Sequence, residues 1–281
     1  MNFQSQSFQT RQNMEKNTFE VFYYKDPKLD SVAVHHHDFY EIYFFLNGRV
    51  EYRVEGKTYL LEPGDLLLIN PRELHQPIVK QGTVYERIVL WIDKNYLDSF
   101  SQEDADLSRC FDSEEPTHTN ILRPSGLQIN KINNLLNDMV KESYGDGFGN
   151  SLSAVGSFLQ FMVEINRLSL QSKEYAKPVK EAGLVAQVLT FINEHYNEEL
   201  SLESLSNRFF VSKYHLSHEF SRAVGTSVYR YIMLKRLLNA KELLSVGESP
   251  GDVCHKCGFQ DYANFYRAFK AEYGVSPKKY R

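Results

Sequence analysis

Residue types that can bind a polar small molecule are concentrated in the first third of the chain, at His35, His37, Glu41 and His75. Alternate side chains of a β-strand share one face, so a strand here would point His35, His37 and Glu41 the same way. Imidazoles and a carboxylate can donate and accept hydrogen bonds to hydroxyl groups. With Tyr43 as a further polar contact, we predict that His37, Glu41 and His75 bind a small effector.

Aromatic residues surround these polar positions: Phe39, Tyr40, Tyr43, Phe44 and Phe45. Aromatic faces can cover the C–H side of a sugar ring, which favours a sugar or a sugar derivative as the effector. The same residues are equally typical of a β core. An ordinary structural interpretation of the whole motif therefore stays open.

The chain contains three cysteines, Cys110, Cys254 and Cys257. Cys254 and Cys257 form a C-x-x-C pair, which is half of a zinc site, but no second pair of ligands follows. We interpret both as small apolar residues of a helix core. The spacing indicates no disulfide framework, so a reducing cytosol is the expected setting.

An internal repeat occupies the last hundred residues, in which Phe210–Phe220 lies over Phe259–Phe269 at an offset of 49. The match continues from Gly225 to Gly274. Each copy of a repeat is usually one structural unit, so we expect two similar units here.

Each repeat predicts a helix-turn-helix unit. Ser212 and Asp261 are good N-caps for a second helix, and a short helix precedes each, at 202–205 and 253–257. The outward faces of the two second helices carry Tyr214, Ser217 and His218, then Ala263, Asn264 and Arg267. In such units the second helix lies in the DNA major groove. A long helix, about Val228 to Ser245, is expected to join the two.

The elements before the repeat differ in type. Short runs rich in Val, Ile, Tyr and Leu between turn signals over residues 32–92 predict a β-barrel or sandwich. Two helical stripes follow: Ile132, Leu135, Leu136, Met139 and Val140, then Leu152, Val155, Leu159 and Met162. A small barrel is not expected to cover both stripes, so we predict that this hairpin forms a dimer surface.

Three stretches of the C-terminal part, Ala240–Leu244, Cys257–Lys270 and Tyr273–Arg281, resemble the signature of one known family. They are similar to the DNA-binding domain of the AraC-type (arabinose-operon regulator) family, over about residues 184–281. The resemblance implies that the six outward-facing residues of the second helices face bases.

The strand region, about residues 32–93, resembles the cupin barrel, the sensor domain of many AraC-type proteins. The similarity lies in His35–Glu41, Pro63–Pro71 and His75. It implies a pocket for a small effector. In cupin enzymes two histidines, a glutamate and a later histidine bind a metal, so His35, His37, Glu41 and His75 also match a metal site. That remains the alternative to an effector pocket.

Charge is distributed unevenly along the 281 residues. The net charge is -4, but residues 182–281 carry 13 basic and 10 acidic side chains, against 19 and 26 in the remainder. A net +3 next to −7 permits DNA binding by the C-terminal part. We expect neither a signal peptide nor a membrane span.

These observations predict an α+β protein with an N-terminal cupin-like β-barrel, a helical hairpin and a C-terminal all-α domain of two helix-turn-helix units. The expected divisions are residues 1–124 (effector-sensing domain with an N-terminal extension), 125–171 (dimerisation hairpin), 172–182 (linker) and 183–281 (DNA-binding domain).

The predicted function is that of a cytoplasmic, sequence-specific transcription regulator that responds to a small effector. The expected partners are double-stranded DNA, a carbohydrate-like effector and a second copy of the chain, with RNA polymerase as a further candidate. We expect no cofactor, catalysis or membrane. The alternative is a cupin-type metal-binding enzyme fused to a DNA-binding domain.

Overall fold

A computed structural model describes residues 13–29, 32–71, 73–80, 82–112, 118–171 and 183–280. They form two compact units, one holding most residues of the strands and the first helices, and one that consists mainly of the helices from residue 183 onward. The predicted linker, 172–182, and most of the predicted N-terminal extension lie outside the described residues.

Two antiparallel sheets build the first unit. The strands are β1 (Phe19–Asp26), β2 (Tyr40–Asn47), β3 (Val50–Val54), β4 (Lys57–Leu60), β5 (Leu66–Ile69), β6 (His75–Val79), β7 (Tyr85–Ile92) and β8 (Ile121–Leu122). The five-stranded sheet has the order β1-β7-β2-β5-β8, and the three-stranded sheet has the order β4-β3-β6. The prediction of a β-rich N-terminal domain is confirmed.

The five-stranded sheet is buried on both faces, as its nearly continuous apolar sequence requires. On β2, Ile42 and Phe44 belong to a core shared with helices, whereas Tyr43 and Phe45 face the core between the two sheets. The strand alternation therefore divides one sequence between two cores.

Helices cover the outer face of this sheet: α1 (Lys94–Asp98), α2 (Gly126–Ser143) and α3 (Asn150–Gln171), with a 3-10 turn at Arg109–Phe111. Phe158 of α3 stacks on Phe19 of β1, with ring centroids 4.7 Å apart. The hairpin is thus an integral layer of the domain core.

This packing shows that the predicted apolar stripes are mostly buried within the monomer and do not form a free dimer surface. The α2 stripe is buried within the monomer. The buried face of α3 is Ala154, Phe158, Phe161, Met162, Ile165 and Leu168. Of the stripe predicted for α3, Leu152 is 77% exposed and Val155 and Leu159 are half-buried. The apolar outer face of the five-stranded sheet packs against the hairpin and forms one core with it.

The second unit consists of α4 (Gly183–His195), α5 (Leu202–Arg208), α6 (Lys213–Val224), α7 (Val228–Ser245), α8 (Pro250–Lys256), α9 (Tyr262–Tyr273) and α10 (Pro277–Tyr280). The helix α7 has the bounds predicted from the sequence. It contacts α6 on one side and α8, α9 and α10 on the other. Two helix-turn-helix units therefore share one connecting helix.

Local capping explains where the second helices begin. The side chain of Ser212 accepts a hydrogen bond from the backbone N–H of His215 at 3.1 Å, and Asp261 accepts one from Asn264 at 2.7 Å. Ser249 caps α8 in the same way, with Pro250 in its first turn. These interactions satisfy backbone donors that a helix start leaves free.

The two turns do not follow the single offset of 49 throughout. Phe210 has a positive φ of 55° and is structurally equivalent to Gly258, whose φ is 76°, since each residue follows a helix that closes with the same hydrogen bonds. The second turn has one more residue, Gln260, before its cap. Phe210 is accordingly 94% exposed, whereas Phe259 is buried. A pattern of residue types could not show this shift because both turns contain phenylalanine.

None of the helices formed by the described residues is long and apolar enough to cross a membrane.

Candidate effector site and DNA-binding surface

The candidate effector site lies where the chain enters β2, opposite the start of β6. The strand begins at Tyr40, so Glu41 is in the strand, whereas His37 is in the segment before it. His75 is the first residue of β6. The predicted continuous strand from residue 35 to 41 is therefore wrong, although His37 and Glu41 still meet.

His37, Glu41 and His75 form a buried cluster. One side-chain ligand atom from each lies within 4.8 Å of those of the others. The Nε2 atom of His37 is 3.3 Å from Oε2 of Glu41, and the rings of His37 and His75 have centroids 4.8 Å apart. The three residues predicted at the centre of the site are thus brought together.

Glu41 is held by two aromatic side chains. The indole Nε1–H of Trp91 donates to Oε2 at 2.8 Å, and the hydroxyl of Tyr52 lies 3.5 Å from Oε1. Burial alone raises the pKa of a carboxyl, but the hydrogen bond and charge of His37, with smaller contributions from His75 and His35, lower the pKa of Glu41 to about 2. The residue is therefore an ionised carboxylate in a buried position.

Backbone carbonyls orient both imidazoles. The Nδ1 atoms of His37 and His75 lie 2.8 Å from the carbonyl oxygen of Phe39 and 3.0 Å from that of Glu73. Burial lowers the pKa of His75 well below its ordinary value, so its imidazole is neutral. A neutral ring that donates through Nδ1 presents an unprotonated Nε2 to the site.

The other predicted residues lie at the margin. The His35 ring packs edge-on against His75, with centroids 4.3 Å apart, but it is not part of the cluster of ligand atoms. The hydroxyl of Tyr43 donates to Tyr85 rather than contacting Glu41. Three of the four residues of the metal alternative, His37, Glu41 and His75, therefore converge, and the hydroxyl of Tyr43 is bound to Tyr85 instead.

Sequence reasoning missed Trp91 and Tyr52. Trp91 lies opposite Glu41 in the pairing of β7 with β2. No local signal connects residues fifty positions apart, because the contact depends on the strand register. The alternation of β7 could have placed Trp91 on the face opposite Leu90 and Ile92, but not next to Glu41.

Cys254 and Cys257 are buried in the core formed by α7, α8 and α9. Burial raises the pKa of Cys257 to about 12 and also raises that of Cys254, so both thiols remain protonated at neutral pH. The interpretation of this pair as core residues is confirmed.

The candidate DNA-binding surface comprises the outward faces of α6 and α9. On α6, Tyr214 and His218 are exposed and Ser217 is half-buried, while Leu216 and Phe220 are buried on the opposite face. The rings of Tyr214 and His218 stack with centroids 6.2 Å apart. This face offers hydroxyl and imidazole groups to a ligand in front of the helix.

On α9, Ala263, Asn264 and Arg267 are all exposed, and Phe265 and Phe269 form the buried face. Arg267 donates a hydrogen bond to the side-chain oxygen of Asn264, and the side-chain nitrogen of Asn264 donates to the carboxylate of Asp261. A guanidinium can donate two hydrogen bonds to the edge of a guanine. The α9 face therefore combines one cation with a neutral amide.

Residues 20–162 match the model of the AraC-like ligand binding domain, which is half of the chain, and residues 205–281 match that of a helix-turn-helix domain. The chain belongs to the AraC family. It is a transcription regulator with a ligand-binding domain and a DNA-binding domain.

Relatives of this AraC-family chain include the HTH-type transcriptional activator RhaS of Salmonella typhimurium, 25% identical over 91% of this chain and 90% of that protein. The C-terminal domain of AraT, a response regulator from Geobacillus stearothermophilus, is 29% identical, covers 36% of this chain and 84% of its own, and has a TM-score of 0.35. Unsaturated fatty acid bound ToxT from Vibrio cholerae is 16% identical, with coverage of 95% and 96% and a TM-score of 0.39.

Proposed function

We propose that this AraC-family regulator recognises specific double-stranded DNA with α6 and α9, and that a small polar effector bound between its two sheets changes that recognition. The six outward-facing residues of α6 and α9 are the proposed base-reading residues, and the effector contacts are His37, Glu41 and His75, with Tyr43 near them. We propose that the protein acts in the cytoplasm, because a DNA-binding regulator must reach double-stranded DNA.

The observation that carries the effector proposal is the buried cluster of His37, Glu41 and His75 within the AraC-like ligand-binding domain. Burying an ionised carboxylate and two imidazoles costs free energy unless each finds a partner. The Nε2 atom of His75 is buried without a hydrogen-bond partner, and the Nε2 atom of His37 faces only the carboxylate of Glu41, at 3.3 Å. Such convergent polar groups among apolar walls are typical of a ligand site.

A sugar or sugar derivative is the proposed effector class. Its hydroxyls can donate to Nε2 and to the carboxylate, and aromatic rings line the same position. Phe39 stacks on His37 with centroids 4.0 Å apart and lies 4.7 Å from Trp91. Aromatic rings therefore lie next to the polar groups of the cluster.

The effector proposal is tested by calorimetry with a panel of sugars, followed by DNA binding with and without the sugar that binds. Glu41→Ala should abolish the response to the effector while leaving effector-free DNA affinity nearly intact. Glu103→Ala, a change of an exposed carboxylate outside the cluster, is the matched control. A Glu41→Ala protein that still responds as wild type would contradict the proposed site.

We also propose a homodimer through the outer side of the α2–α3 hairpin, with RNA polymerase as a further partner. Leu127 and Leu152 support the first proposal because they are apolar and exposed on these helices. The relative RhaS is named a transcriptional activator, which supports RNA polymerase as a partner. Leu127→Asp with Leu152→Asp should give folded monomers by light scattering, and a dimer that persists would place the interface elsewhere.

A further inference from the structure

Phe210, in the turn between α5 and α6, combines two features that each cost free energy. Its φ of 55° is in the left-handed region, which is unfavourable for a residue with a Cβ atom. Its aromatic side chain is 94% exposed to solvent, so it gains no packing energy within the domain. Departures of this kind from local folding rules are expected mainly at functional sites.

The turn itself does not require this side chain. The backbone N–H of Phe210 donates to the carbonyl oxygen of Asn207, so the turn closes through backbone atoms. The equivalent residue of the second helix-turn-helix unit is Gly258, where a Cβ atom would lie 2.5 Å from the backbone oxygen of Asn197. The first helix-turn-helix unit thus presents an apolar surface at a place where the other unit is closed.

Phe210 lies at the start of the proposed base-reading helix of its unit. It precedes Ser212, the N-cap of α6, by two residues. Tyr214, in the first turn of α6, is 82% exposed. The N-terminal residues of such a helix contact base edges in the major groove. Phe210 is therefore continuous with the surface that is proposed to bind DNA.

The chemistry of this surface differs between the two units. The proposed base-reading residues of α9 include Arg267, and a guanidinium bound to guanine is the commonest specific contact. Those of α6 include no such cation, and the neighbouring Lys213 is paired with Glu203, with Nζ 2.8 Å from Oε1. Apolar side chains instead recognise thymine, which presents its 5-methyl group in the major groove. The start of α6 therefore favours thymine over guanine.

We propose that Phe210 is a further specificity-determining residue, whose ring contacts the 5-methyl group of a thymine at the edge of the DNA segment read by α6. This inference rests on the proposed function, since it requires α6 to lie in the major groove. The contact removes an exposed aromatic surface from water, which stabilises the complex and offsets the unfavourable turn conformation. The second helix-turn-helix unit, with glycine at the equivalent position, makes no such contact.

The experiment uses the full chain and the duplex that it selects from random DNA. Each thymine of that duplex is replaced in turn by deoxyuridine, which removes the 5-methyl group and keeps the hydrogen-bonding groups of the base. We expect at least one replacement to weaken wild-type binding by about fourfold, the effect of removing one methyl group from an apolar contact. Phe210→Gly should abolish the effect of that replacement, whereas Phe210→Tyr, which keeps the ring, should retain it.

Two variants serve as controls. Val246→Gly removes another exposed apolar side chain, at the end of α7. Arg267→Ala removes the cation of α9. Both should respond to the same deoxyuridine replacement as the wild type does, and circular dichroism of each variant verifies the fold.

Three results would overturn the assignment: a wild-type chain that no single replacement affects, a Phe210→Gly protein that still distinguishes thymine from deoxyuridine, or one that binds both duplexes equally weakly because it has lost a contact to the DNA backbone. In vitro transcription tests for a protein contact. A Phe210→Gly protein that binds DNA as the wild type does but no longer alters transcription would assign the residue to RNA polymerase instead. A chain that selects no sequence at all would contradict the proposed function, and this inference with it.

Discussion

The guanidinium of Arg267 is held by its own helix before any DNA is bound. It donates to the side chain of Asn264, and its Nε–H lies 3.4 Å from the carbonyl oxygen of Ala263. Asn264 is itself fixed by the cap residue Asp261. Holding a long side chain in one orientation lowers the conformational entropy that base recognition must later overcome.

Arg267→Ala should relax specificity at one base position of the DNA site, costing about 1–3 kcal/mol of discrimination there. Selection of binding sites from random DNA, followed by fluorescence anisotropy on the selected site and its single-base variants, measures this effect. Lys256→Ala, an exposed cation of α8, is the control and should leave the preference unchanged. Equal weakening on all sequences would instead identify Arg267 as a phosphate contact.

Phe210→Gly should raise the free energy of unfolding by about 1 kcal/mol, because a left-handed conformation is unfavourable for residues with a Cβ atom. Its side chain is almost fully exposed, so the change removes little packing. Urea denaturation of the 183–281 fragment measures the difference.

Two comparisons decide whether backbone conformation is the cause. Val246→Gly, at an exposed position with a φ of −85°, should destabilise, since glycine there only adds freedom to the unfolded chain. Gly258→Ala should also destabilise, because its Cβ would lie 2.5 Å from the backbone oxygen of Asn197. A Phe210→Gly protein that loses stability as Val246→Gly does would contradict the explanation.

Among the elements, the α2–α3 hairpin depends most on partners distant in sequence. Phe158 is fully buried, and its ring stacks on Phe19 more than a hundred residues away. Phe158→Ala should cost about 3–5 kcal/mol, because it removes a large side chain from a core that cannot collapse around the cavity. Thermal unfolding of the full chain reports this loss, whereas Leu152→Ala on the exposed side should leave stability nearly unchanged.

Elements set by local interactions were predictable from the sequence, and elements set by distant pairing were not. Ser212 and Asp261 predict helix starts from the sequence because the cap and its hydrogen-bond partner are only three residues apart. The contact of Trp91 with Glu41 required the register of β7 on β2. Burial of the hairpin stripes could not be predicted either, because it depends on several strands that are distant from the hairpin in sequence.

At the scale of the whole molecule, the two units differ in how their functions can be separated. Both second helices and α7 lie in residues 183–280, which all belong to the second compact unit. The fragment 183–281 should therefore fold alone and bind the DNA site selected by the full chain, with the same preference at each base. A fragment that folds by circular dichroism but loses its sequence preference would show that the first unit contributes to base recognition.

Strand β2 has no side that faces water along its first six residues, since Tyr40 to Phe45 are all buried. Glu41 lies on the side of the strand that carries the polar cluster, whereas Tyr40 and Ile42 lie in the core shared with the helices. Close-packed interiors contain almost no free volume, so a ligand that binds beside Glu41 must displace the strand. Such movement presses on the underside of the α2–α3 hairpin. Strand β2 therefore couples the two cores mechanically, because a change of packing in one core is transmitted through the strand to the other.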